Sequence, residues 1–235
     1  MINIAANSAI DLLAKLKAIE INVPPRKKGR NTEHCERWSI CRFLATYAET
    51  NLIQYPMRVE KREKPDFLIS LPSTRIGIEV TEAVPPDWAW ANARRENFIG
   101  SNLIFLQSFQ PGGPRMSKME VDNIASGANR GDGWVGDAPE KEWAEAMAYF
   151  SLQKADKFLK SEYERFDVNW LLIYDNWPLP AVEYLTGADY FLQWLGTLDT
   201  PLPFDSLFVE CADSILHFKV PSYAPQPIRD LWKNV

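Results

Sequence analysis

The amino-acid sequence predicts an α/β fold in which helices flank a mixed central sheet. Two β-rich runs, 66–70 and 75–81, are joined by a four-residue turn, as in a β-hairpin. A continuous apolar run at 170–174 has the length of a strand that is buried on both faces. Apolar residues at helical spacing occur before the hairpin and between it and the buried strand. This order of elements is typical of an α/β domain.

Helices and strands are predicted on either side of the hairpin. Residues 8–19 have the spacing of a short amphipathic helix, and a second helix is predicted from an N-cap at Thr32 to about Glu49, with Cys35 at its third position. A short strand is predicted over 55–60. The remaining predicted helices are 87–99, 140–162 and 181–198, and the remaining predicted strands are 170–174, 206–210 and 215–220.

The predicted domain organisation follows from where prolines, glycines and basic residues cluster. Residues 1–31 contain the first helix and a proline-containing basic segment, so we expect an N-terminal helix and a solvated linker. Residues 32–235 are expected to form a single α/β domain. Most of the glycines lie within 107–139, which predicts a long glycine-rich loop.

The composition excludes some classes of function. The chain has 235 residues, 46% of them hydrophobic and 24% charged, as expected for a globular protein. Its formal net charge of -5 argues against a protein that wraps nucleic acid by bulk electrostatics. Residues 1–66 nevertheless contain 12 Lys and Arg against 8 Asp and Glu, so the positive charge is concentrated before the hairpin.

The cysteines and the apolar segments indicate where the protein works. The three cysteines are scattered and have no zinc-binding spacing, which favours a reducing compartment. Charged residues interrupt the N-terminal apolar stretch, and no run of about 18 apolar residues occurs. We therefore expect a cytoplasmic protein with no membrane partner.

Two carboxylates are expected to converge at one end of the hairpin. Residues two apart in a strand share a face, which places Glu79 and Thr81 together. With the turn centred near Ser73, Asp66 lies opposite Val80, next to Glu79 and Thr81. Two neighbouring carboxylates repel each other, and a hard cation such as Mg²⁺ relieves the repulsion. The carbonyl oxygen of Val80 is a further candidate ligand.

These residues resemble the signature of a known family. Pro65-Asp66, followed after twelve residues by Glu79-Val80-Thr81, is similar to the motif of the PD-(D/E)xK nuclease superfamily, whose members have a restriction-endonuclease-like fold. The predicted order of helix, three strands, helix and strand resembles it too, over about 32–175. At finer grain, residues 76–82 look like those of bacterial members of this superfamily.

The resemblance implies a fold and a set of site residues. It implies a restriction-endonuclease-like α-β-β-β-α-β core, with the C-terminal strands and helix as additions. It implies that Asp66 and Glu79 ligate Mg²⁺ or Mn²⁺, and that an acidic residue of the preceding helix joins them, either Glu36 or Glu33. Glu36 also lies on the inward stripe of its helix, where an unpaired carboxylate is costly.

The sequence departs from the family motif at its lysine. Thr81 occupies that position, and a threonine hydroxyl supplies no positive charge. In other members of the superfamily the lysine has moved to the following helix. Here the predicted helix 140–162 offers Lys154 and Lys157, three residues apart on one face, and we expect Lys154 to be the catalytic one.

The predicted function is metal-dependent hydrolysis of phosphodiester bonds in nucleic acid, DNA rather than RNA, with a homodimer as one expected assembly. Basic residues near the hairpin are candidate phosphate contacts. They are Arg58, Lys61, Arg62, Lys64, Arg94 and Arg95, together with segment 26–30. Trp134, in the glycine-rich loop, is expected to cover the site or to stack on a base.

Other interpretations remain open at this point. A nuclease fold that has lost its chemistry would bind nucleic acid or a protein without cleaving it, and the absent motif lysine favours this alternative. An interaction protein that uses its acidic C-terminal part is a third hypothesis. Individually, Asp66 could simply begin a strand, Glu36 could interact with the helix dipole, and Lys154 and Lys157 could lie on a solvated face.

Overall fold

The computed structural model describes residues 2–25, 28–95, 108–129, 131–160 and 163–233. Within these residues the protein is an α/β structure with an eight-stranded mixed sheet and six helices, so the predicted class is confirmed. The strands are β1 (Asn3–Ala6), β2 (Met57–Lys61), β3 (Phe67–Ser70), β4 (Arg75–Ala83), β5 (Val168–Asp175), β6 (Ser206–Cys211), β7 (Ser214–Lys219) and β8 (Ser222–Pro227). The helices are α1 (Ala9–Lys17), α2 (Thr32–Tyr47), α3 (Pro86–Arg95), α4 (Lys118–Ser126), α5 (Ala138–Phe158) and α6 (Tyr184–Gly196).

The strands follow one another across the sheet in the order in which they occur in the chain. Strands β1 to β4 form an antiparallel meander, and β6 to β8 form another. Strand β5 pairs in parallel with β6, from Trp170 opposite Ser206 to Tyr174 opposite Glu210. The middle of β5 is buried throughout, as expected for a strand covered on both faces.

The described chain divides into two compact units. The first unit comprises Met1–Glu82, Ser151–Tyr174 and Thr200–Val235, and the second comprises Ala83–Phe150 and Asp175–Asp199. The three cysteines are free and buried in the first unit. No helix of the described residues has the length and apolarity needed to cross a membrane.

Helix α2 supplies much of the apolar core of the first unit. Its Phe43 ring packs against the rings of Tyr47, Trp170 and Phe208, with centroids 4.8 to 5.9 Å apart. The N-cap is Asn31, which forms a capping box with His34, one residue before the predicted cap at Thr32. Asn is at least as good an N-cap as Thr because its carbonyl oxygen accepts the same backbone N–H.

The hairpin forms as predicted, but its register differs by one residue. Phe67 lies opposite Ile78 and Ser70 opposite Arg75. The turn closes tightly, with the Leu71 N–H donating to the Thr74 carbonyl oxygen (2.9 Å), so its centre falls half a residue before Ser73. Continued outward, this register aligns Asp66 with Glu79 rather than with the predicted Val80.

The glycine-rich segment 107–139 contains a helix, so its prediction as a loop throughout was wrong. Helix α4 begins with a capping box between Ser117 and Glu120, and it ends at Gly127, which has a φ of +77°. A left-handed residue at a helix C-terminus favours glycine, so this glycine ends a helix instead of marking a loop. Residues 107 and 130, like residues 96–99 of the predicted helix 87–99, lie outside the described residues.

Two strands were not predicted, and both lie at edges of the sheet. Strand β1 pairs with β2 in the N-terminal segment, where Leu12 and Leu16 of the following helix are also buried in the core. Strand β8 contains Pro225 and Pro227 and pairs with β7. Proline is tolerated in a strand at an edge, where its missing N–H is not needed by a neighbour.

Trp143 of α5 is fully buried in the second unit. Its indole N–H donates to an Asp175 carboxylate oxygen (2.8 Å), and its ring lies 6.4 Å from that of Phe191. Gly187 of α6 packs on the same ring so closely that a Cβ atom there would lie 2.8 Å from it. The glycine therefore permits the close approach of helix and indole.

Replacing Phe43 with alanine tests the core assignment. The change removes a ring that is 1% exposed and leaves a cavity, so we expect the free energy of unfolding to fall by about 3–5 kcal/mol. As a control, Ile10→Ala, at a side chain that is 78% exposed, should change it by less than about 0.5 kcal/mol. Urea denaturation measures both variants, and equal losses would contradict the assignment.

Candidate functional site

Asp66, Glu79 and Lys154 come together in the first unit. Asp66 immediately precedes β3, Glu79 lies in the middle of β4, and Lys154 lies on the last two turns of α5. The Lys154 Nζ atom is 2.7 Å from Glu79 Oε2 and 3.6 Å from Asp66 Oδ2. The ammonium group of Lys154 therefore lies beside the carboxylates of Asp66 and Glu79.

Backbone packing beside this centre depends on a glycine. Gly77 lies two residues before Glu79 and thus on the same face of β4. A Cβ atom at Gly77 would lie 2.8 Å from the Phe166 ring and 3.0 Å from the Pro65 ring. The absence of a side chain therefore lets Pro65 pack against β4 and brings the adjacent Asp66 close to the strand.

Glu79 is a buried carboxylate with one unpaired oxygen. Its side chain is 2% exposed, and Oε2 accepts a hydrogen bond from Lys154. The other oxygen, Oε1, is buried and has no hydrogen-bond partner among the described residues. Burial raises the pKa of the Glu79 carboxyl, and the nearby ammonium of Lys154 only partly offsets that effect. A buried carboxylate oxygen without a donor is costly, and a cation would satisfy it.

The amine of Lys154 is held in its charged form. Burial lowers its pKa, but the carboxylates of Asp66 and Glu79 raise it by more, so the net pKa lies above the ordinary lysine value. The side chain is 16% exposed, so the positive charge is largely shielded from solvent. Lys154 thus presents a fixed positive charge at the carboxylates.

Asp66 is oriented by the neighbouring strand and by a second lysine. Its Oδ2 atom accepts a hydrogen bond from the Val80 N–H (2.8 Å), and its Oδ1 atom lies 3.6 Å from the Nζ atom of Lys61. Lys61 also donates to Glu36 Oε2 of α2 (2.5 Å). The structure therefore brings Glu36 near the centre through Lys61, and it shows the N–H of Val80, rather than its carbonyl oxygen, in contact with Asp66.

Two of the predicted catalytic residues have no contact with the carboxylates among the described residues. Lys157 is exposed, three residues beyond Lys154, and makes no ion pair there. Thr81 is half-buried on β4 and has no side-chain hydrogen bond in the described part of the chain. Of the two candidate lysines, Lys154 is the one that contacts Glu79.

The basic residues predicted to contact nucleic acid differ in their partners. Arg58 is exposed and pairs with Glu60 (3.0 Å), while Arg62 pairs with Glu164 (2.7 Å). The Nζ atom of Lys64 lies 5.9 Å from the centre of the Tyr163 ring.

In the second unit, Arg94 forms an ion pair with Asp122, and Arg95 ends α3. Trp134 donates its indole N–H to Glu142 (2.7 Å) within the same unit. Segment 26–30 is described only from residue 28 onward, so Arg26 and Lys27 lie outside the described residues.

Sequence reasoning missed two contributors to the centre. Lys61 was assigned to a basic surface stretch, although its position at the end of β2 places it beside Asp66. Tyr163 was not singled out at all; burial and the negative charges of Glu79 and Asp66 raise the pKa of its hydroxyl. Tyr163 belongs to no sequence motif. It follows α5, and the sequence does not define where that helix ends.

The donor set fits a hard divalent cation only in part. Two carboxylates with a buried free oxygen are the kind of ligands that Mg²⁺ takes, with water completing its coordination. Among the described residues, no group of three or more His, Cys, Asp or Glu side chains is arranged to hold a metal ion. Glu36, the predicted third acid, has its carboxylate bonded to Lys61.

Comparison of the chain with protein-family models, with curated proteins and with solved structures finds no match. What this centre can do therefore follows from the geometry of Asp66, Glu79 and Lys154 and from the chemistry of their side chains.

Replacing Lys154 with methionine tests whether it is the counter-charge of Glu79. Burial raises the pKa of Glu79, so the Glu79 carboxyl binds its proton more tightly in the folded protein than in the unfolded chain. The free energy of unfolding therefore falls as the pH rises through the pKa of Glu79 in the folded protein. Removing the ammonium raises this pKa further. We expect Lys154→Met to lower the free energy of unfolding by about 3 kcal/mol at pH 8 and by clearly less at pH 5.

Urea denaturation at the two pH values makes this measurement, and Lys157→Met is the matched control. Lys157 is exposed on the same helix, so its replacement should change stability by less than about 0.5 kcal/mol at either pH. A loss in Lys154→Met that does not depend on pH, or one equal to that in Lys157→Met, would show that the two residues do not form a coupled pair.

Proposed function

We propose that this protein hydrolyses phosphodiester bonds in nucleic acid with the help of a divalent metal ion. The observation that carries the proposal is the convergence of Lys154 on the carboxylates of Asp66 and Glu79. Those three residues have the chemical types that the PD-(D/E)xK motif combines. The lysine comes from α5 instead of from the strand position occupied by Thr81.

The order of elements supports the same proposal. Helix α2, strands β2, β3 and β4, helix α5 and strand β5 follow the α-β-β-β-α-β order of a restriction-endonuclease-like core. In such a core the acidic residues come from the second and third strands, and here Asp66 borders β3 and Glu79 lies in β4. We propose that these elements form that core and that β6, β7, β8 and α6 are additions to it.

Asp66 and Glu79 are the proposed metal ligands, with Oε1 of Glu79 as the free buried donor. The N–H of Val80 fixes the orientation of the Asp66 carboxylate, and burial within β4 fixes that of Glu79. A bound Mg²⁺ or Mn²⁺ would polarise the phosphate and lower the pKa of an attacking water molecule.

Lys154 is the proposed electrostatic catalyst. Its ammonium remains charged because the two carboxylates raise its pKa, and it is already placed at the centre before any substrate arrives. Negative charge that develops on a phosphate oxygen is stabilised most by a positive group that need not reorient. The side chain thereby supplies the charge that Thr81 lacks.

The proposed substrate is DNA, approached along the basic segment that leads to Asp66. Lys64 and Arg62 lie two and four residues before it, respectively, and their side chains are accessible. Cations next to the reacting phosphate position the backbone without reading the base sequence. A cytoplasmic location and a homodimeric assembly belong to the same proposal.

One observation favours a second candidate function. Lys61 and Lys154 lie at the acidic centre and neutralise much of its charge, so the protein itself supplies counter-charges to these carboxylates. A binding module that has lost its chemistry would have this property too. The two candidates differ in whether Asp66 and Glu79 are needed for cleavage.

Cleavage assays with single- and double-stranded DNA and with RNA, in Mg²⁺ or Mn²⁺, test the proposal. Wild type should cleave only when the metal is present. Asp66→Asn, Glu79→Gln and Lys154→Met should each lower the rate by about 100-fold or more, because each removes a charge at the reacting phosphate. Lys157→Met should cleave like wild type.

Two outcomes would overturn the nuclease proposal. The first is cleavage that is the same in wild type and in the Asp66 and Glu79 variants, which would indicate a contaminating activity. The second is nucleic-acid binding by the wild type without cleavage in either metal, which would favour the binding module. Circular dichroism of each variant shows that a lost activity is not a lost fold.

A further inference from the structure

We infer that Lys61 and Glu36 form an internal counter-ion pair that sets the metal affinity of the Asp66–Glu79 centre, with Glu36 holding the lysine rather than ligating the metal. The inference rests on the proposed metal-dependent function. The family resemblance gives Lys61 no role at the metal, and it makes Glu36 a candidate ligand.

The geometry places Lys61 between two acids at unequal distances. Its Nζ atom is 2.5 Å from Glu36 Oε2 and 3.6 Å from Asp66 Oδ1. The same ammonium lies 4.7 Å from the centre of the Phe67 ring, which favours a cation at that position. The lysine is thus bonded to Glu36 and only near Asp66.

These three side chains lie in surroundings where charges interact strongly. Lys61, Glu36 and Asp66 have 17, 12 and 13% of their side-chain surface exposed. Interactions between unit charges a few ångströms apart are several-fold stronger in a partly buried site than in water. A shift of Lys61 toward or away from Asp66 would therefore change the affinity of that carboxylate for any other cation.

Asp66 has one oxygen available for such competition. Its Oδ2 atom is hydrogen-bonded to the Val80 N–H, whereas Oδ1 accepts no hydrogen bond from the described residues and faces Lys61. A cation that binds Asp66 through Oδ1 would approach this ammonium. Glu36 draws Lys61 away from that oxygen and so favours the cation.

The charge of the cluster leaves room for a further positive group. Glu36, Asp66 and Glu79 bring three carboxylates, and Lys61 and Lys154 bring two ammonium groups. The cluster therefore has one more carboxylate than ammonium groups, and the Oε1 atom of Glu79 has no hydrogen-bond partner among the described residues. Lys61 is therefore a competitor of the metal at Asp66, and Glu36 is the group that restrains this competitor.

A double-mutant cycle read by Mn²⁺ titration calorimetry tests the inference. The variants are Lys61→Met, Glu36→Gln and the two combined. Lys61→Met removes the competing charge and should tighten Mn²⁺ binding about tenfold. Glu36→Gln should weaken it about tenfold by releasing Lys61 toward Asp66, but it should have less than about a twofold effect once Lys61 is methionine.

Lys17→Met is the matched control, because it removes one positive charge from an exposed position in the last turn of α1, within the same unit. It should leave Mn²⁺ affinity within about twofold of wild type. Lys61→Gln is a second variant in case methionine disturbs the packing on Phe67, and circular dichroism shows which variants are folded.

The outcomes separate this inference from the function on which it rests. If Glu36→Gln weakens Mn²⁺ binding equally in wild type and in Lys61→Met, Glu36 is a metal ligand. That result would overturn this inference but not the proposed function. Wild-type binding that Lys61→Met and Lys61→Gln leave unchanged would also overturn it alone. No Mn²⁺ binding by wild type would overturn the proposed metal dependence and the inference together.

Discussion

The ion pair between Lys154 and Glu79 is the interaction on which the candidate site depends. A carboxylate that is 2% exposed in the middle of a strand is tolerated only with a partner, and the partner comes from a helix 75 residues later in the chain. This contact ties the end of α5 to β4 within one compact unit. It also fixes the positions of two groups of opposite charge before any ligand binds.

The hairpin and its surroundings explain why the charges converge at that point. The tight turn aligns Asp66 with Glu79, and Gly77 lets Pro65 and Phe166 pack directly against β4. The Val80 N–H then holds one oxygen of Asp66, and Lys61 faces the other. A centre with two lysines and three acids results, in which one buried oxygen remains unpaired. We propose that this centre binds a small hard cation, the kind of ion that carboxylate oxygens ligate.

The sequence predicted the parts of this account that depend on short-range patterns. Alternation in β4 placed Glu79 and Thr81 on one face of the strand. The expectation of Lys154 ahead of Lys157 came from the resemblance to the PD-(D/E)xK superfamily, in which the lysine can lie on the following helix. The role of Lys61 depends on the positions of β2, the start of β3 and α2 relative to one another. A local sequence pattern does not predict those positions. Ser117 and Glu120 have the spacing of a capping box, which is a signal for the start of α4. A loop was predicted there instead, because the segment is rich in glycine.

We propose above all that Asp66 and Glu79 bind a divalent cation beside Lys154. Anomalous diffraction from crystals of the wild-type protein soaked in Mn²⁺ tests it most directly. We expect one strong anomalous peak within coordination distance of both carboxylates, with the Lys154 amine still in contact with Glu79, and no peak there in Glu79→Gln. Crystals that show no peak at these carboxylates, with Lys61 and Lys154 still paired to them, would contradict the claim.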